Sequence, residues 1–448
     1  MERKQLNDLL AWKNKPGRKP LMLRGARQVG KTYLLEKFGQ EAFARTHRIN
    51  FEKQPEACGL FDADLDPKRI VKALSLFLAT DIDIHQDLLI FDEIQVCPKA
   101  ITSLKYFCED MPQMALCAAG SLLGIHLTPT SYPVGKVDLM SLYPMTFEEF
   151  LLALGDKRYL DAVEEVLKER NMSSPLTDFI HNHLWNRLKL YFVVGGLPEV
   201  VQTYCSYQDN PVEAFKQVRK KQDELITIYY ADMAKHSGKI NAMHIQRVWN
   251  SVPTQLARNL DGSASKFIFK GVVPQADRYQ QLAGPIDWLE AAGLVIKVSI
   301  VESAQIPLKA YTKENFFKLL LFDVGILAAM SDLSAQSILT YEYGSYKGYF
   351  AENFVAQCLL QATGKQLYCW HEGSAEVEFL QDIGGQVIPI EVKSGWVTHS
   401  KSLLSFSQKY NPPYSVILSG KNLHVDSKRK KHFYPLYLAG RGEDLRCL

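Results

Sequence analysis

The composition is that of a folded globular protein and excludes several classes of function. The chain has 448 residues, of which 47% are hydrophobic and 23% charged, with a formal net charge of +3, so there is no general electrostatic attraction to nucleic acid or membranes. No apolar run is long enough to span a membrane, and the first five residues lack a secretory signal. The eight cysteines form no C-x-x-C pair, which argues against zinc and predicts a cytoplasmic location.

The first informative element is a phosphate-binding loop. Leu21–Leu23 predicts a short buried strand, and the apolar spacing after Lys31 predicts a helix. Between them lies the pattern G-x-x-x-x-G-K-[ST], whose backbone N–H groups and helix N-terminus bind phosphate. We expect Lys31 to reach the β and γ phosphates of ATP and the Thr32 hydroxyl to ligate Mg²⁺. The residues predicted to contact the nucleotide are Gly25, Ala26, Arg27, Gln28, Val29, Gly30, Lys31 and Thr32.

A second apolar strand, at 88–91, ends in Asp92 and Glu93. Alone, this pattern is equally typical of a strand followed by an acidic helix cap. Some 60 residues after the phosphate loop, it has the form of a Walker B segment, typical of ATPases rather than kinases or GTPases. We expect Asp92 to hold Mg²⁺ and Glu93 to act as the general base. Ser121 follows the next predicted strand, 114–119, and is either a sensor of the γ phosphate or part of a strand-end turn.

The elements along the chain predict four domains. Residues 1–145 alternate strands and helices, which indicates an α/β fold with a parallel sheet covered by helices on both faces. Residues 146–236 are mostly helical and are predicted to form a lid, with a break at 195–198. Helices followed by a strand within 237–335 suggest a winged helix. Residues 336–448 return to an α/β pattern.

A second group of charged residues lies in the last domain. Glu378 is on one predicted strand, a Gly384-Gly385 turn follows, and Glu391-x-Lys393 is on the returning strand. Residues two apart project from the same face of a strand. This is the arrangement of a restriction-type nuclease core, and Glu352 in the preceding helix adds a third carboxylate. The pattern predicts a second metal site at Glu352, Glu378 and Glu391, with Lys393 beside it; the alternative is a surface hairpin with alternating charges.

The ordered motifs resemble a large prokaryotic family of AAA-type P-loop ATPases with a C-terminal domain of unknown function. The resemblance covers essentially the whole chain and rests on segments 23–32, 90–95, 119–121, 142–150, 195–198, 322–327, 352–355 and 390–393. It implies ATP binding, a helical lid, a winged helix and a restriction-endonuclease-like C-terminal fold. Two positions depart from the family pattern. Lys136 stands where an arginine is usual, and Glu378 stands where an aspartate is usual.

These patterns lead to one principal hypothesis and two alternatives. The principal hypothesis is Mg²⁺-dependent ATP hydrolysis coupled to conformational change of the C-terminal domains. Lys136 or Arg27 is then expected near the γ phosphate, because the developing charge needs a further cation. The alternatives are an ATP-gated DNA nuclease and a nucleotide-dependent scaffold with little hydrolysis. DNA would bind through the winged-helix and C-terminal domains, no membrane is expected as a partner, and the sequence does not identify a protein partner.

Overall fold

The chain is described here by a computed structural model covering residues 1–120, 133, 135–168, 175–258 and 266–441. It divides into two compact units. The N-terminal unit comprises Glu2–Tyr143 with Ala291–Gly293, and the C-terminal unit comprises Pro144–Glu290 with Leu294–Leu448. No helix within the described residues is long and apolar enough to cross a membrane.

The N-terminal unit is an α/β domain. Its described strands are β1 Leu21–Arg24, β2 Thr46–Asn50, β3 Leu88–Asp92, β4 Ala115–Gly120 and β5 Asp138–Ser141. Its described helices are α1 Gln5–Lys13, α2 Lys31–Ala42, α3 Pro67–Phe77 and α4 Pro98–Asp110. Every residue of β3 and β4 is buried, as expected for strands covered on both faces.

The five strands are all parallel, in the order β2-β3-β4-β1-β5. This confirms the predicted parallel sheet. The strand β4 lies between β1, which precedes the phosphate loop, and β3, which ends in Asp92. Since the carboxyl ends of parallel strands lie at one edge of a sheet, the phosphate loop and the acids after β3 share that edge.

The C-terminal unit combines helices with one large mixed sheet. Its described helices are α5 Phe147–Ala153, α6 Lys157–Lys168, α7 Asp178–Val194, α8 Pro198–Tyr207, α9 Pro211–Ser237, α10 Lys239–Arg258, α11 Tyr279–Ala291, α12 Val324–Met330, α13 Ala335–Thr340, α14 Tyr346–Thr363 and α15 Lys401–Tyr410. Its described strands are β6 Val295–Val301, β7 Thr312–Leu321, β8 Leu367–Glu372, β9 Ala375–Ile383, β10 Gln386–Val392, β11 Ser415–Ser419, β12 His424–Asp426 and β13 Lys431–Pro435.

The sheet has the strand order β12-β13-β11-β10-β9-β8-β6-β7. The strands β9 and β10 are antiparallel and joined at Gly384 and Gly385, which have φ values of 59° and 80°, so the predicted hairpin is present. The pair β6 and β7 is also antiparallel, but β6 pairs in parallel with β8. The ribbon of the suggested winged helix is therefore part of the same sheet as the C-terminal strands. The winged-helix interpretation and the domain boundaries at 145, 236 and 335 stay predictions.

The break at Gly195-Gly196 is fixed by a buried carboxylate. Asp323 caps α12 by accepting a hydrogen bond from the Ile326 N–H at 3.0 Å, and it accepts another from the Gly196 N–H at 2.7 Å. A Cβ at Gly195, where φ is 77°, would lie 2.3 Å from the Asp323 carboxylate. Burial raises the pKa of Asp323 to about 6. Gly195 and Gly196 are therefore glycines because the helix break packs directly against Asp323, the cap of α12.

Candidate functional site: the phosphate loop and its acids

The phosphate loop has the backbone that anion binding requires. Gly30 adopts a left-handed conformation, with φ 91°, immediately before Lys31 begins α2. A Cβ on Gly25 would lie 2.1 Å from the carbonyl oxygen of Leu142. The residue after β5 therefore packs directly against the first glycine of the loop, and only glycine fits there. The loop ends at a helix N-terminus, where free N–H groups favour an anion.

Lys31 and Thr32 occupy the positions that the motif predicts. The Lys31 ammonium donates hydrogen bonds to the carbonyl oxygens of Gly25 and Ala26, at 2.9 and 2.8 Å. The Lys31 side chain therefore lies over the loop, where its ammonium could also contact a bound phosphate. The Thr32 hydroxyl lies 3.1 Å and 3.3 Å from the two carboxylate oxygens of Asp92. A hydroxyl and a carboxylate in contact are the oxygen ligands that Mg²⁺ prefers.

Asp92 is buried among neutral hydrogen-bond donors. Its side chain is 4% exposed and accepts hydrogen bonds from the Asn50 amide at 3.3 Å and the Glu93 N–H at 3.1 Å. The nearest guanidinium, that of Arg48, is 4.0 Å away and also pairs with Glu36. Burial and the neighbouring Glu93 raise the pKa of Asp92, while Thr32 and Arg48 oppose them. A divalent cation would offset this cost of burying charge.

Glu93 sits at a sharp turn after β3. Its φ is 50°, in the left-handed region that non-glycine residues seldom adopt. Gln95 donates a hydrogen bond from its side-chain nitrogen to a Glu93 carboxylate oxygen at 2.6 Å. The turn and the hydrogen bond hold the Glu93 side chain in one orientation beside Asp92. A carboxylate held in this way could accept a proton from water.

The other predicted site residues fall in different places. Arg27 lies within the loop and pairs with Glu52, just after β2, at 3.8 Å. Lys136 is not near the loop. It pairs with Glu109 at 2.8 Å near the end of α4, just before β5, which runs parallel to β1 with Asp138 opposite Leu21. That is the amino edge of the sheet, whereas the phosphate loop follows its carboxyl edge. Ser121 lies outside the described residues.

The C-terminal hairpin brings Glu378, Glu391 and Lys393 together. In the β9–β10 register Ile390 pairs with Phe379, so Glu391 and Glu378 come next in register. Lys393 pairs with Glu391 at 2.6 Å, and the Val392 N–H donates to Glu378 at 3.2 Å. Burial and Glu391 raise the pKa of Glu378 well above its usual range, with Lys393 opposing them. One oxygen of Glu391 is buried without a hydrogen-bond partner.

Glu352 pairs with a different lysine. Its carboxylate pairs at 2.7 Å with the ammonium of Lys318 on β7, whose side chain is 3% exposed, and Lys318 also pairs with Glu376. Burial would lower the pKa of Lys318, but Glu352 and Glu376 outweigh it and raise the pKa. Among the described residues, no group of three or more His, Cys, Asp or Glu side chains is arranged to hold a metal ion. The predicted carboxylate trio is therefore divided between two lysines.

Sequence reasoning did not find four of these residues. Asn50 and Gln95 position the two acids of the N-terminal site, and Lys318 and Glu376 complete the buried cluster. Gln95 could have been identified from the sequence, because it is only two residues from Glu93 and carries a hydrogen-bond donor. For Lys318 the only signal is a single charge inside the apolar run 316–322, which is unusual for a buried strand.

Comparison with known families divides the chain into three parts. Residues 17–151 match a family described as an AAA domain. Residues 186–337 and 347–438 match two further families, each described as a domain of unknown function (DUF8612 and DUF4143). The N-terminal unit is accordingly a P-loop domain of the AAA type. A search of curated proteins finds no match.

Several solved structures are similar over much of the chain at low identity. The Walker-type ATPase of Pyrococcus abyssi is 13% identical, with 73% of this chain and 95% of that chain covered and a TM-score of 0.45. AMPPCP-bound DnaA from Aquifex aeolicus is 16% identical, with coverage of 63% and 86% and a TM-score of 0.29. The Aeropyrum pernix ORC1 protein in complex with DNA is 14% identical, with coverage of 74% and 91% and a TM-score of 0.24. All three TM-scores are too low to support a functional conclusion.

Proposed function

We propose that this protein hydrolyses ATP with Mg²⁺ and passes its nucleotide state to the C-terminal unit. The observation that carries the proposal is the contact of the Thr32 hydroxyl with Asp92 at 3.1 Å, directly beside the helix N-terminus at Lys31. A phosphate site and a site for a hard divalent cation thus adjoin each other. The match to the AAA domain over residues 17–151 independently supports nucleotide hydrolysis.

Each residue has a defined task in this proposal. The loop N–H groups and the Lys31 ammonium bind the phosphates and stabilise the charge that develops during transfer. Thr32 and Asp92 would hold Mg²⁺, which would supply positive charge to polarise the phosphate oxygens. Glu93 accepts the proton of the attacking water. Gln95 acts as a positioning residue, because its hydrogen bond fixes the Glu93 carboxylate.

Leu142 connects the phosphate loop to the start of the C-terminal unit. This residue donates from its N–H to the Arg24 carbonyl at 2.8 Å, and its own carbonyl abuts Gly25. The C-terminal unit begins two residues later, at Pro144. A change in the phosphate loop on nucleotide binding therefore acts on the covalent connection between the units, which supports coupling by chain movement.

Phosphate release by the full-length protein tests hydrolysis. We expect turnover with Mg²⁺ and none with EDTA. Lys31→Ala should lose ATP binding, whereas Glu93→Gln should retain ATP and lose turnover, since an amide cannot accept the proton. Lys37→Ala, on the same helix and paired only at the surface with Glu41, serves as the control and should be active. Normal hydrolysis by Glu93→Gln would remove that residue from the mechanism, and tight ATP retention by wild type without turnover would favour the scaffold.

Coupling is tested by hydrogen–deuterium exchange. With ATP bound to Glu93→Gln, exchange within α5 to α9 should change relative to the nucleotide-free protein. The Lys31→Ala variant, given the same ATP concentration, should not change. Protection limited to the N-terminal unit would reject coupling while leaving hydrolysis intact.

A nuclease is the second candidate function, and one observation favours it. Glu378, Glu391 and Lys393 are neighbours at the end of the β9–β10 hairpin, as in a restriction-type core. Against it, Lys318 already pairs with Glu352 and Glu376, which leaves Glu378 and Glu391 as the carboxylates for a metal, with Lys393 beside them. Nicking of supercoiled plasmid in Mg²⁺ or Mn²⁺, lost in Glu391→Ala, would establish cleavage. No nicking by wild type would reject it.

A further inference from the structure

A surface pocket of 740 Å³ lies in the C-terminal unit, at some distance in sequence from every residue discussed for ATP hydrolysis. Residues that follow β10 and β11 line it, together with the β12–β13 hairpin and the first turn of α7. Its lining includes Trp396, Lys421, His424, Arg429 and Phe433. Aromatic and cationic side chains thus converge in one open concavity.

Trp396 is the most informative of these residues. Its indole is 53% exposed, although tryptophan is among the residues that folding normally covers. The ring is held in place rather than loose. It packs on Trp185 with ring centroids 5.2 Å apart, and a Cβ at Gly420 would lie 3.2 Å from two of its carbons. The protein therefore presents a fixed aromatic face to solvent.

A second aromatic surface in the same pocket, Phe433, lies beside a lysine. The Lys421 ammonium is 5.8 Å from the centre of the Phe433 ring, and the exposed His424 ring stacks on Phe433 at 6.0 Å. The Arg429 side chain is 79% exposed, and its contact with Asp426 is long, at 3.8 Å. Its guanidinium can therefore still reach a phosphate. Arg429 also belongs to a run of four consecutive cations, 428–431.

We propose that this pocket binds a single strand of nucleic acid, with an unpaired base on Trp396 and the neighbouring phosphates on Lys421 and Arg429. Flat aromatic faces beside flexible cations are the general means of binding single strands, because every base has a π face. A duplex keeps its bases stacked and cannot present one to the indole. An acidic peptide would use the cations, but its Asp and Glu side chains offer no ring to stack on Trp396.

Two acidic residues also line the pocket, Asp178 and Asp426. Within the lining they balance the charges of Lys421 and Arg429, so phosphate attraction there is moderate; Lys428, Lys430 and Lys431 adjoin Arg429 in sequence but do not line the pocket. Carboxylates also accept hydrogen bonds from the amino groups of bases. The site should therefore require a base as well as a phosphate, and polyphosphate alone should bind weakly. This inference does not depend on ATP hydrolysis or on cleavage by the hairpin acids.

The test is fluorescence anisotropy of the full-length protein with labelled oligomers of thymidine, uridine and a matched DNA duplex. We expect the single strands to bind more tightly than the duplex. Comparison of the thymidine and uridine oligomers shows whether the protein prefers DNA or RNA. Trp396→Ala should weaken binding about tenfold or more, given the usual contribution of a stacked base, while Trp396→Phe should retain most of it. Gly420→Ala should also weaken binding, because its methyl group displaces the indole.

A second pair of variants separates stacking from charge. Lys421→Ala with Arg429→Ala should weaken binding and reduce the slope of log K against log salt by about 1.4, since each phosphate contact on a single strand contributes about 0.7. Tyr207→Ala and Lys216→Ala, exposed residues away from the pocket, are the controls and should bind normally.

Three outcomes would overturn the proposal. They are unchanged binding by folded Trp396→Ala, duplex binding as tight as single-strand binding, and equal competition by polyglutamate, which would indicate an acidic protein partner instead. Circular dichroism and thermal melting establish that each variant is folded.

Discussion

Replacement of Lys318 by methionine should destabilise the C-terminal unit strongly. Methionine fills the volume of the lysine stem but removes the ammonium that contacts Glu352 at 2.7 Å and also pairs with Glu376. Two carboxyl groups then face each other in a buried site without a cation. Breaking one partner of a buried ion pair typically costs about 3–5 kcal/mol. The Glu376 side chain is 21% exposed, so water can screen part of that loss. We therefore expect the free energy of unfolding to fall by about 3 kcal/mol.

Urea unfolding followed by tryptophan fluorescence measures this change. Five of the six tryptophans, all except Trp12, lie in the C-terminal unit, so the signal reports chiefly on that unit. The double variant Lys318→Met with Glu352→Gln should recover part of the lost free energy of unfolding, because it removes a charge that the single variant leaves unpaired. A single variant as stable as wild type, or a double variant less stable than the single, would refute the ion-pair explanation.

Two other predictions concern glycine packing and pH. Gly25→Ala should abolish ATP binding, measured by calorimetry, because the new methyl group would lie 2.1 Å from the Leu142 carbonyl; normal affinity would show that the loop has room to adjust. Asp323 has a folded-state pKa of about 6, above its ordinary 3.8, so the folded state binds more proton between these values and loses stability as pH rises through them. Relative to Asp323→Asn, wild type should therefore lose about 2 kcal/mol of unfolding free energy between pH 3.8 and pH 6, and parallel stability curves for the two proteins would contradict the assignment.

The proximity of the phosphate loop to the acids after β3 could be predicted from the sequence because both are short local segments. Gly25 to Thr32 is one continuous loop, and Asp92 and Glu93 end a single apolar strand. A parallel sheet with short connections brings such strand ends to one edge without further information. The expectation for Lys136 came from the family resemblance, in which an arginine is usual at that position. Lys136 precedes β5, and the start of a parallel strand lies at the amino edge of the sheet, opposite the phosphate loop.

The C-terminal cluster could be predicted only in part because it depends on contacts between distant elements. Glu378, Glu391 and Lys393 lie on one hairpin, whose register follows from a two-residue period and a Gly-Gly turn. Lys318 is 34 residues from Glu352, on a strand at the other end of the sheet order, β7. No local periodicity records such a pairing. The sequence therefore predicts Glu352 but not the two residues that complete its cluster, Lys318 and Glu376.

This difference in partners distinguishes two acidic sites that are alike in sequence. Around Asp92, the closest groups are neutral donors from Thr32, Asn50 and the Glu93 backbone, with one shared guanidinium 4.0 Å away. The negative charge there remains largely uncompensated, and a buried uncompensated carboxylate favours binding of a cation. Around Glu352, an ammonium inside the protein already supplies that charge. A metal could bind there only by displacing Lys318. Mg²⁺ should therefore stabilise the N-terminal unit of the wild type. It should stabilise the C-terminal unit only in Lys318→Met, where the ammonium is gone.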